Sequence, residues 1–279
     1  MYRAIQAAAL SLRPKKWDKP SNADKLEMFV RRAAQRGAEL VVAPEGFLEG
    51  YVVMDAIYHH ERRPDMWEIA EPMDGPYVQR FRAIADELGI VLCFGFAERR
   101  DTGIYNTAVV LGPSGQICGT YQKVLLAEGT APNWDFNRVG QSLRAIDTSL
   151  GRVGIMICND RWNPDVARTQ VMDGAQILLI PAYGSRRRHQ NEAVIARARE
   201  NGVPVVEANV GVNLIVSKGE VVAYAWGNDR ISLAEIEAPL PPSSKRARSM
   251  EEAFLTWQEP EMQRRHEKTV EHSSSETDI

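Results

Sequence analysis

The chain has 279 residues, of which 44% are hydrophobic, so it can bury a sizeable core as one large domain or two small ones. Its 37 acidic and 34 basic residues give a net charge of −3. This balance excludes a general electrostatic attraction to nucleic acid or to an anionic membrane surface.

Cysteine usage and the absence of long apolar runs indicate the compartment. Cys93, Cys118 and Cys158 lie far apart and form no CxxC pair, which favours a reducing environment over a disulfide framework. The N-terminal segment lacks a clear export pattern, and no stretch of 18 apolar residues occurs. We therefore expect a soluble, cytoplasmic protein that binds neither a membrane nor nucleic acid.

The first part of the chain alternates predicted strands and helices. Apolar residues at helical spacing follow Asn22 and end at Gly37, and a second amphipathic helix opens at Pro76 and ends at Gly89. Short apolar runs predict strands at residues 2–10, 40–43 and 90–96. The result is two consecutive β-α-β units.

The rest of the chain adds hairpins to this pattern. Two strands between Tyr105 and Leu125 are joined by the turn cluster 112–115, and Lys218-Gly219 joins another pair. Alternating strands and helices mixed with hairpins predict an α/β protein with a mixed sheet or paired sheets. The further strands are predicted at 143–146, 153–157, 177–181, 203–208, 213–216 and 221–224, and the helices at 164–173 and 192–201.

A change in composition near residue 240 divides the chain. Residues 1–240 are predicted to form one domain. Residues 241–279 begin with Pro-Pro-Ser-Ser and are low in apolar side chains. We predict a C-terminal extension whose final part is disordered or ordered only against a partner.

Cys158 follows the apolar strand 153–157 and precedes a predicted helix. A strand-to-helix turn can lift a side chain to the edge of the sheet, where N–H groups of the helix terminus favour a thiolate. A cysteine more often only fills space in a core, which is the interpretation that we favour for Cys93 and Cys118. The polar residues directly after Cys158 keep a nucleophilic role open.

Two charged residues also stand at strand positions. Glu45 follows the strand 40–43, where a carboxylate could act as a base, although a solvated cap is the commoner role. Lys123 lies on an alternating segment with Tyr121, where a lysine is ordinarily a surface residue. Taken singly, neither residue is predicted to be catalytic.

Together, the segments around these three residues resemble the carbon–nitrogen hydrolase (nitrilase) superfamily over nearly the whole chain before the extension. Residues 40–45 with Gly50-Tyr51 resemble its glutamate motif, 121–124 its lysine motif and 154–160 its cysteine motif, in the family's order. Three separate motifs in the correct order make chance agreement improbable.

The resemblance implies a fold and a set of roles. The fold is an α/β, α-β-β-α four-layer sandwich that pairs into a homodimer or larger homo-oligomer, often with the C-terminal segment crossing to the other subunit. Glu45 would accept the thiol proton, Cys158 would attack, and Lys123 with the backbone N–H of Asn159 would hold the oxyanion. A free thiol is only a few per cent ionised at neutral pH, so a base is needed. No cofactor or metal is required, and the five histidines show no ligand spacing.

Many members of this superfamily carry a second glutamate shortly after the lysine. The stretch 128–136 does not align cleanly with that position. We predict Glu128 as the second catalytic carboxylate, with Asp135 as the alternative. A shifted acid would alter the wall of the pocket, so it affects the substrate more than the reaction class.

The cysteine motif also suggests a substrate class. Residues 158–162 resemble the corresponding run of N-carbamoyl-D-amino-acid hydrolases, whereas nitrilases proper usually have Trp-Glu after the cysteine. A small amide or N-carbamoyl substrate is therefore favoured. The alternatives are a nitrilase or acyl transferase that uses the same three residues, and a catalytically silent binding module.

Further residues are predicted to contact this small-molecule substrate. The carbamoylases hold a substrate carboxylate with arginines beyond the cysteine, which points to Arg161, although Trp162 stands where a second arginine often lies. Arg187 belongs to the basic cluster 186–189 and suits carboxylate binding, with a solvated helix start or a dimer contact as the competing interpretation. Tyr51, Trp134 and Trp162 are predicted to line the pocket, or to serve as core-edge or interface residues.

Overall fold

Two six-stranded sheets form the centre of the computed structural model, which describes residues 3–184, 187–239 and 247–275. The strands are β1 (Arg3–Ser11), β2 (Leu40–Val42), β3 (Val91–Arg100), β4 (Gly103–Leu111), β5 (Ile117–Gln122), β6 (Ile146–Thr148), β7 (Gly151–Ile155), β8 (Ile177–Ala182), β9 (Val205–Asn209), β10 (Val212–Ser217), β11 (Glu220–Trp226) and β12 (Arg230–Ala238).

Each sheet is mixed. The first has the order β12-β1-β2-β3-β4-β5 and the second the order β11-β10-β9-β8-β7-β6. Strands β1, β2 and β3 run parallel, as do β7, β8 and β9, while the outer strands pair antiparallel. Parallel neighbours need crossover connections, and the helices supply them.

Seven α-helices connect or follow these strands in the described part of the chain. They are α1 (Lys19–Gln35), α2 (Val53–Tyr58), α3 (Arg63–Ile69), α4 (Pro76–Leu88), α5 (Pro164–Met172), α6 (Arg188–Asn201) and α7 (Ala247–Ser275). Helices α1 and α4 pack on the first sheet, and α5 and α6 pack on the second. The predicted α-β-β-α sandwich is therefore confirmed.

Strand β1 shows why the sheets pack face to face. Ile5, Ala7 and Ala9 are buried in the core between the sheets, whereas Ala8 and Leu10 are buried against the helices of the first sheet. Successive side chains of a strand point to opposite faces, so a strand covered on both sides is apolar throughout.

Several details differ from the expectations. Strand β12, which pairs antiparallel with β1, and the short helices α2 and α3 were not predicted. The predicted hairpin extended to Leu125, but β5 ends at Gln122, so Lys123 lies one residue beyond the strand. The backbone N–H of Leu125 then donates to the Asp160 carboxylate instead of to a neighbouring strand.

Helix α7 occupies much of the predicted C-terminal extension and packs against residues 124–129, the segment that follows Lys123. Gln258 Nε2 donates to the carbonyl oxygen of Val124. The backbone N–H of Leu126 lies 3.2 Å from Met262 Sδ. That the extension crosses a dimer interface stays a prediction, and residues 240–246 and 276–279 lie outside the described residues. Within the described ranges, no helix combines the length and the apolar character that a membrane span requires.

Gly129 lets α7 approach this segment closely. Its φ is +71°, and a Cβ there would lie 2.3 Å from the backbone nitrogen of His266. We expect Gly129→Ala to lower the free energy of unfolding by about 1–3 kcal/mol beyond the cost of a left-handed alanine, because packed backbone must shift. Gly202→Ala is the matched control, since Gly202 has φ +65° and nothing within 4 Å of the added Cβ. Urea unfolding of both variants measures the difference, and equal losses would contradict the close approach.

Candidate functional site

Three strand ends bring Glu45, Lys123 and Cys158 into one buried region. Glu45 follows β2, Lys123 follows β5, and Cys158 follows β7. Glu45 Oε1 lies 2.6 Å from Lys123 Nζ, and both side chains are fully buried. Gly95 on β3 permits this placement, because a Cβ there would stand only 2.7 Å from the Glu45 Cα.

The Glu45 carboxylate is fixed by donors on both oxygens. Besides Lys123, Asn106 Nδ2 donates to Oε1 at 2.7 Å. The backbone N–H of Tyr183 donates to Oε2 at 2.9 Å. Because these donors are preorganised, they fix the orientation of the carboxylate.

Cys158 opens a short 3-10 helix, Cys158–Trp162, with an unusual backbone conformation. Its φ is +47°, a left-handed conformation that is costly for a residue other than glycine. The thiol is half-buried, and its sulfur lies 3.7 Å from the carbonyl oxygen of Tyr183. The Tyr183 peptide thus contacts Glu45 with its N–H and Cys158 with its oxygen.

The thiol is protonated in this environment. Burial and the charge of Glu45 raise the pKa of Cys158 to about 11, although the nearby cations Arg161 and Lys123 act to lower it. At pH 7 a pKa of that size leaves only about one thiol in 10⁴ ionised. A reaction at this sulfur therefore needs a base that removes the proton.

The Lys123 ammonium stays charged despite its burial. Burial lowers the pKa of Lys123, but the opposing charges of Glu45, Cys158 and Glu128 outweigh it and hold the pKa above its usual value. A buried cation in this position is a ready donor to a developing negative charge.

Of the two acids considered for the second carboxylate, Glu128 lies in this region. It is buried, and Tyr51 Oη donates to its Oε1 at 2.5 Å. Tyr51 in turn stacks on Tyr183, with ring centroids 4.5 Å apart. Asp135 is exposed and accepts a hydrogen bond from Trp67 Nε1 at 2.9 Å. Of the two acids, only Glu128 lies close enough to act on the charge of Lys123; its role as the second carboxylate stays a prediction.

Asp160, to which the sequence assigned no role, ties the cysteine turn to the lysine segment. Its carboxylate accepts from the backbone N–H groups of Ile157 and Leu125 and from Tyr121 Oη, each at 2.8 Å. Asn159 Nδ2 adds a bond of 3.1 Å to the carbonyl oxygen of Leu125. These contacts hold Cys158 and Lys123 in a fixed relation.

The predicted substrate-binding residues are divided between the interior and the surface. Arg161 is 1% exposed and contacts both Cys158 Sγ, at 3.4 Å, and the Glu207 carboxylate. Trp134 is buried and stacks on Phe136, with centroids 4.8 Å apart, in the same cluster as Tyr51.

Trp162 and Arg187 lie further out. Trp162 is 42% exposed and stacks on His189, with centroids 5.2 Å apart. Arg187 is exposed at the start of α6. Its predicted neighbour Arg186 lies outside the described residues.

The residues of the site that sequence patterns did not predict are mostly hydrogen-bond partners. Asn106 and Tyr183 contact Glu45, and Glu207 contacts Arg161. Asp160 contacts the backbone beside Lys123 and Cys158. Glu207 offered a usable signal, because a lone acid inside an apolar strand needs a buried partner. Within the described part of the chain, no group of three His, Cys, Asp or Glu side chains is arranged to hold a metal ion.

Comparisons with known proteins agree on one family. The sequence model of a family described as carbon-nitrogen hydrolase matches residues 6–237. A nitrilase from Pyrococcus abyssi is 31% identical over 268 residues, which cover 90% of this chain and 96% of the relative. An N-carbamoylputrescine amidase from Arabidopsis thaliana is 31% identical over 71% of this chain and 69% of its own. A citrullinase from Francisella tularensis is 29% identical over 67% and 68%.

Solved structures share the fold. Nit3 from Saccharomyces cerevisiae superposes with a TM-score of 0.72 at 23% identity, covering 90% of this chain and 94% of its own. An amidase from Nesterenkonia sp. gives a TM-score of 0.70 at 21% identity, with coverages of 90% and 96%.

Proposed function

Since the chain belongs to the carbon–nitrogen hydrolase family and is a carbon–nitrogen hydrolase, we propose that it cleaves a small amide or N-carbamoyl compound through a thioester on Cys158. The observation that carries this proposal is the convergence of a buried acid, ammonium and thiol from three strand ends. The Glu45–Lys123 contact of 2.6 Å and the Tyr183 peptide, which contacts both Glu45 and Cys158, define that convergence.

The first half of the reaction forms the thioester. Glu45 removes the proton from Cys158 Sγ as the sulfur attacks the carbonyl carbon, so a free thiolate need not accumulate. The oxyanion of the tetrahedral intermediate is held by the Lys123 ammonium and the backbone N–H of Asn159, donors that typically contribute about 3–4 kcal/mol each. The carbon–nitrogen bond then breaks, and the leaving nitrogen takes the proton from Glu45.

The second half returns the enzyme to its starting state. Glu45 removes a proton from water as the water oxygen attacks the thioester carbon. The carbon–sulfur bond breaks, the acid is released, and the sulfur recovers its proton from Glu45. Glu128, held by Tyr51, acts as the second carboxylate that positions Lys123.

The resemblance and the cysteine usage extend the proposal to assembly and location. We propose a homodimer or larger homo-oligomer that works in the cytoplasm without a cofactor. Tyr51, Trp134, Trp162 and Arg187 remain proposed substrate contacts.

A panel of an amide, an N-carbamoyl compound and a nitrile tests the substrate class. We expect ammonia release from the amide or the carbamoyl compound to exceed that from the nitrile, since relatives named for N-carbamoylputrescine and citrulline support that class. Preferential turnover of the nitrile would instead favour the nitrilase alternative, to which the relative from Pyrococcus abyssi points.

Alkylation with iodoacetamide separates the enzyme from a silent binding module. We expect Cys158 to react at least about tenfold faster than Cys93 and Cys118, because an adjacent base and two cations favour its thiolate during attack. Cys93 is fully buried, and burial also raises the pKa of the half-buried Cys118. Peptide mapping by mass spectrometry measures the three rates. Equal, slow labelling of all three would contradict an activated thiol.

A further inference from the structure

Arg161 lies directly behind the nucleophile and is sealed from solvent. It is on the 3-10 helix that Cys158 opens, it is 1% exposed, and its Nη2 donates to Cys158 Sγ at 3.4 Å. Its other terminal nitrogen, Nη1, pairs with the carboxylate of Glu207 on β9. Both ends of the guanidinium therefore have partners within the protein.

Glu207 is held in its turn. It is fully buried, and Gln190 Nε2 on α6 donates to its Oε1 at 2.9 Å. Burying two charges carries a large desolvation cost, which an ion pair offsets only with good geometry and further hydrogen bonds. Two apolar side chains of similar size would fill this space at less cost, so the retained charge calls for a role.

The arrangement does not suit the role that the resemblance implies for Arg161. A clamp for a substrate carboxylate needs two guanidinium nitrogens directed at the ligand. Here Nη1 is paired with Glu207 and Nη2 with the sulfur, and the remaining nitrogen, Nε, is buried without a hydrogen-bond partner, so no two nitrogens are open to a ligand together. A carboxylate ligand would have to displace a buried ion pair.

We propose that Arg161, held by Glu207, is a catalytic residue that stabilises negative charge on the Cys158 sulfur. The proposal rests on the function proposed above. Negative charge develops on Sγ twice in the cycle. It develops when Sγ gives its proton to Glu45, and again when the carbon–sulfur bond breaks and sulfur takes the bonding electron pair. Arginine suits this task because its charge is permanent, whereas Lys123 is directed at Glu45.

The test is the pH dependence of Cys158 alkylation by iodoacetamide in the full-length protein. This reagent is neutral, so a carboxylate clamp would have nothing to hold. In Arg161→Gln we expect the rate near pH 8 to fall at least about tenfold and the profile to move to higher pH by one unit or more, since an opposite charge within 4–6 Å of an acid changes its pKa by about 1–3 units. Arg161→Lys should recover part of the rate.

Two further proteins complete the experiment. Arg168→Lys is the matched control, because Arg168 lies on α5 with its side chain 48% exposed and pairs with Asp165; its profile should match that of the wild type. Arg161→Gln leaves Glu207 buried without its cation, which can prevent folding. The double variant Arg161→Gln/Glu207→Gln leaves no unpaired carboxylate buried. Its alkylation profile should also move to higher pH, by a smaller amount than that of Arg161→Gln.

An unchanged alkylation profile in Arg161→Gln and in the double variant, with a raised KM only for substrates that carry a carboxylate, would overturn the proposal in favour of the clamp. That result differs from a failure of the proposed function. In the latter case the wild-type Cys158 would itself show no selective labelling.

Discussion

Cys158→Ala should lower kcat/KM by about 10⁶-fold, the size of the loss when a covalent catalyst is deprived of its nucleophile. Lys123 and Asn159 would remain, but without a sulfur they have no tetrahedral intermediate to stabilise. The fold should persist, because the half-buried side chain loses a single atom and the free energy of unfolding should change by no more than about 1 kcal/mol. Ammonia release and thermal unfolding measure the two quantities.

Cys118→Ala is the matched control. Cys118 is also half-buried, but it lies on β5 away from the three strand ends, so its variant should keep the wild-type rate. Substantial turnover by Cys158→Ala, with Cys118→Ala equally active, would refute the thioester mechanism. Loss of folding in Cys158→Ala would be visible in the unfolding curve and would not be mistaken for loss of chemistry.

The parts of the fold that sequence patterns predict are the strands buried on both faces. Residues 40–43 and 177–181 are continuous apolar runs, and the structure has β2 and β8 there. Strand β12 was not predicted because it lies at the edge of its sheet and places the buried Ile236 between the exposed Glu235 and the partly exposed Glu237. Such a pattern is weak without knowledge of its partner, β1.

Helix α7 has no clear apolar stripe, and it contains Pro260 in its interior. Local propensity therefore argues against one continuous helix. Its contacts with residues 124–129, which no local pattern reveals, supply the stabilisation.

Some residues of the candidate site were likewise predictable from sequence, and others were not. Motif order and strand ends were enough to select Glu45, Lys123 and Cys158, which the structure brings together. The pairing of Arg161 with Glu207 was not predictable, because it joins residues 46 positions apart through packing of β9 behind the cysteine turn. Sequence patterns indicate which residue types are present, whereas tertiary packing decides which donors remain open to a ligand.

Glu45→Gln should lower kcat by about 10²–10⁴-fold, the usual contribution of a positioned general base. A glutamine can still accept hydrogen bonds from Lys123 and Asn106 through its amide oxygen, although its NH2 group loses the bond from the Tyr183 backbone N–H. Two of the three bonds remain, so we expect the site to stay assembled. What is lost is the proton acceptor: attack then depends on the small ionised fraction of a thiol whose pKa is about 11. Deacylation is slowed as well, because no base activates the water.

Glu49→Gln is the matched control for this change. Glu49 is buried on the same loop, and burial raises its pKa to about 7, so a neutral side chain already resembles its state near neutral pH. Its variant should keep most of the activity.

The Glu45 variant also offers a direct view of the intermediate. Because the water step needs the same base as the thiol step, we expect part of the Glu45→Gln protein to carry the acyl group of the substrate on the Cys158 peptide, detectable as added mass. Wild-type kcat in Glu45→Gln would remove Glu45 from the mechanism. An acyl mass on Cys93 or Cys118 would move the nucleophile, and with it the reaction, to another part of the molecule.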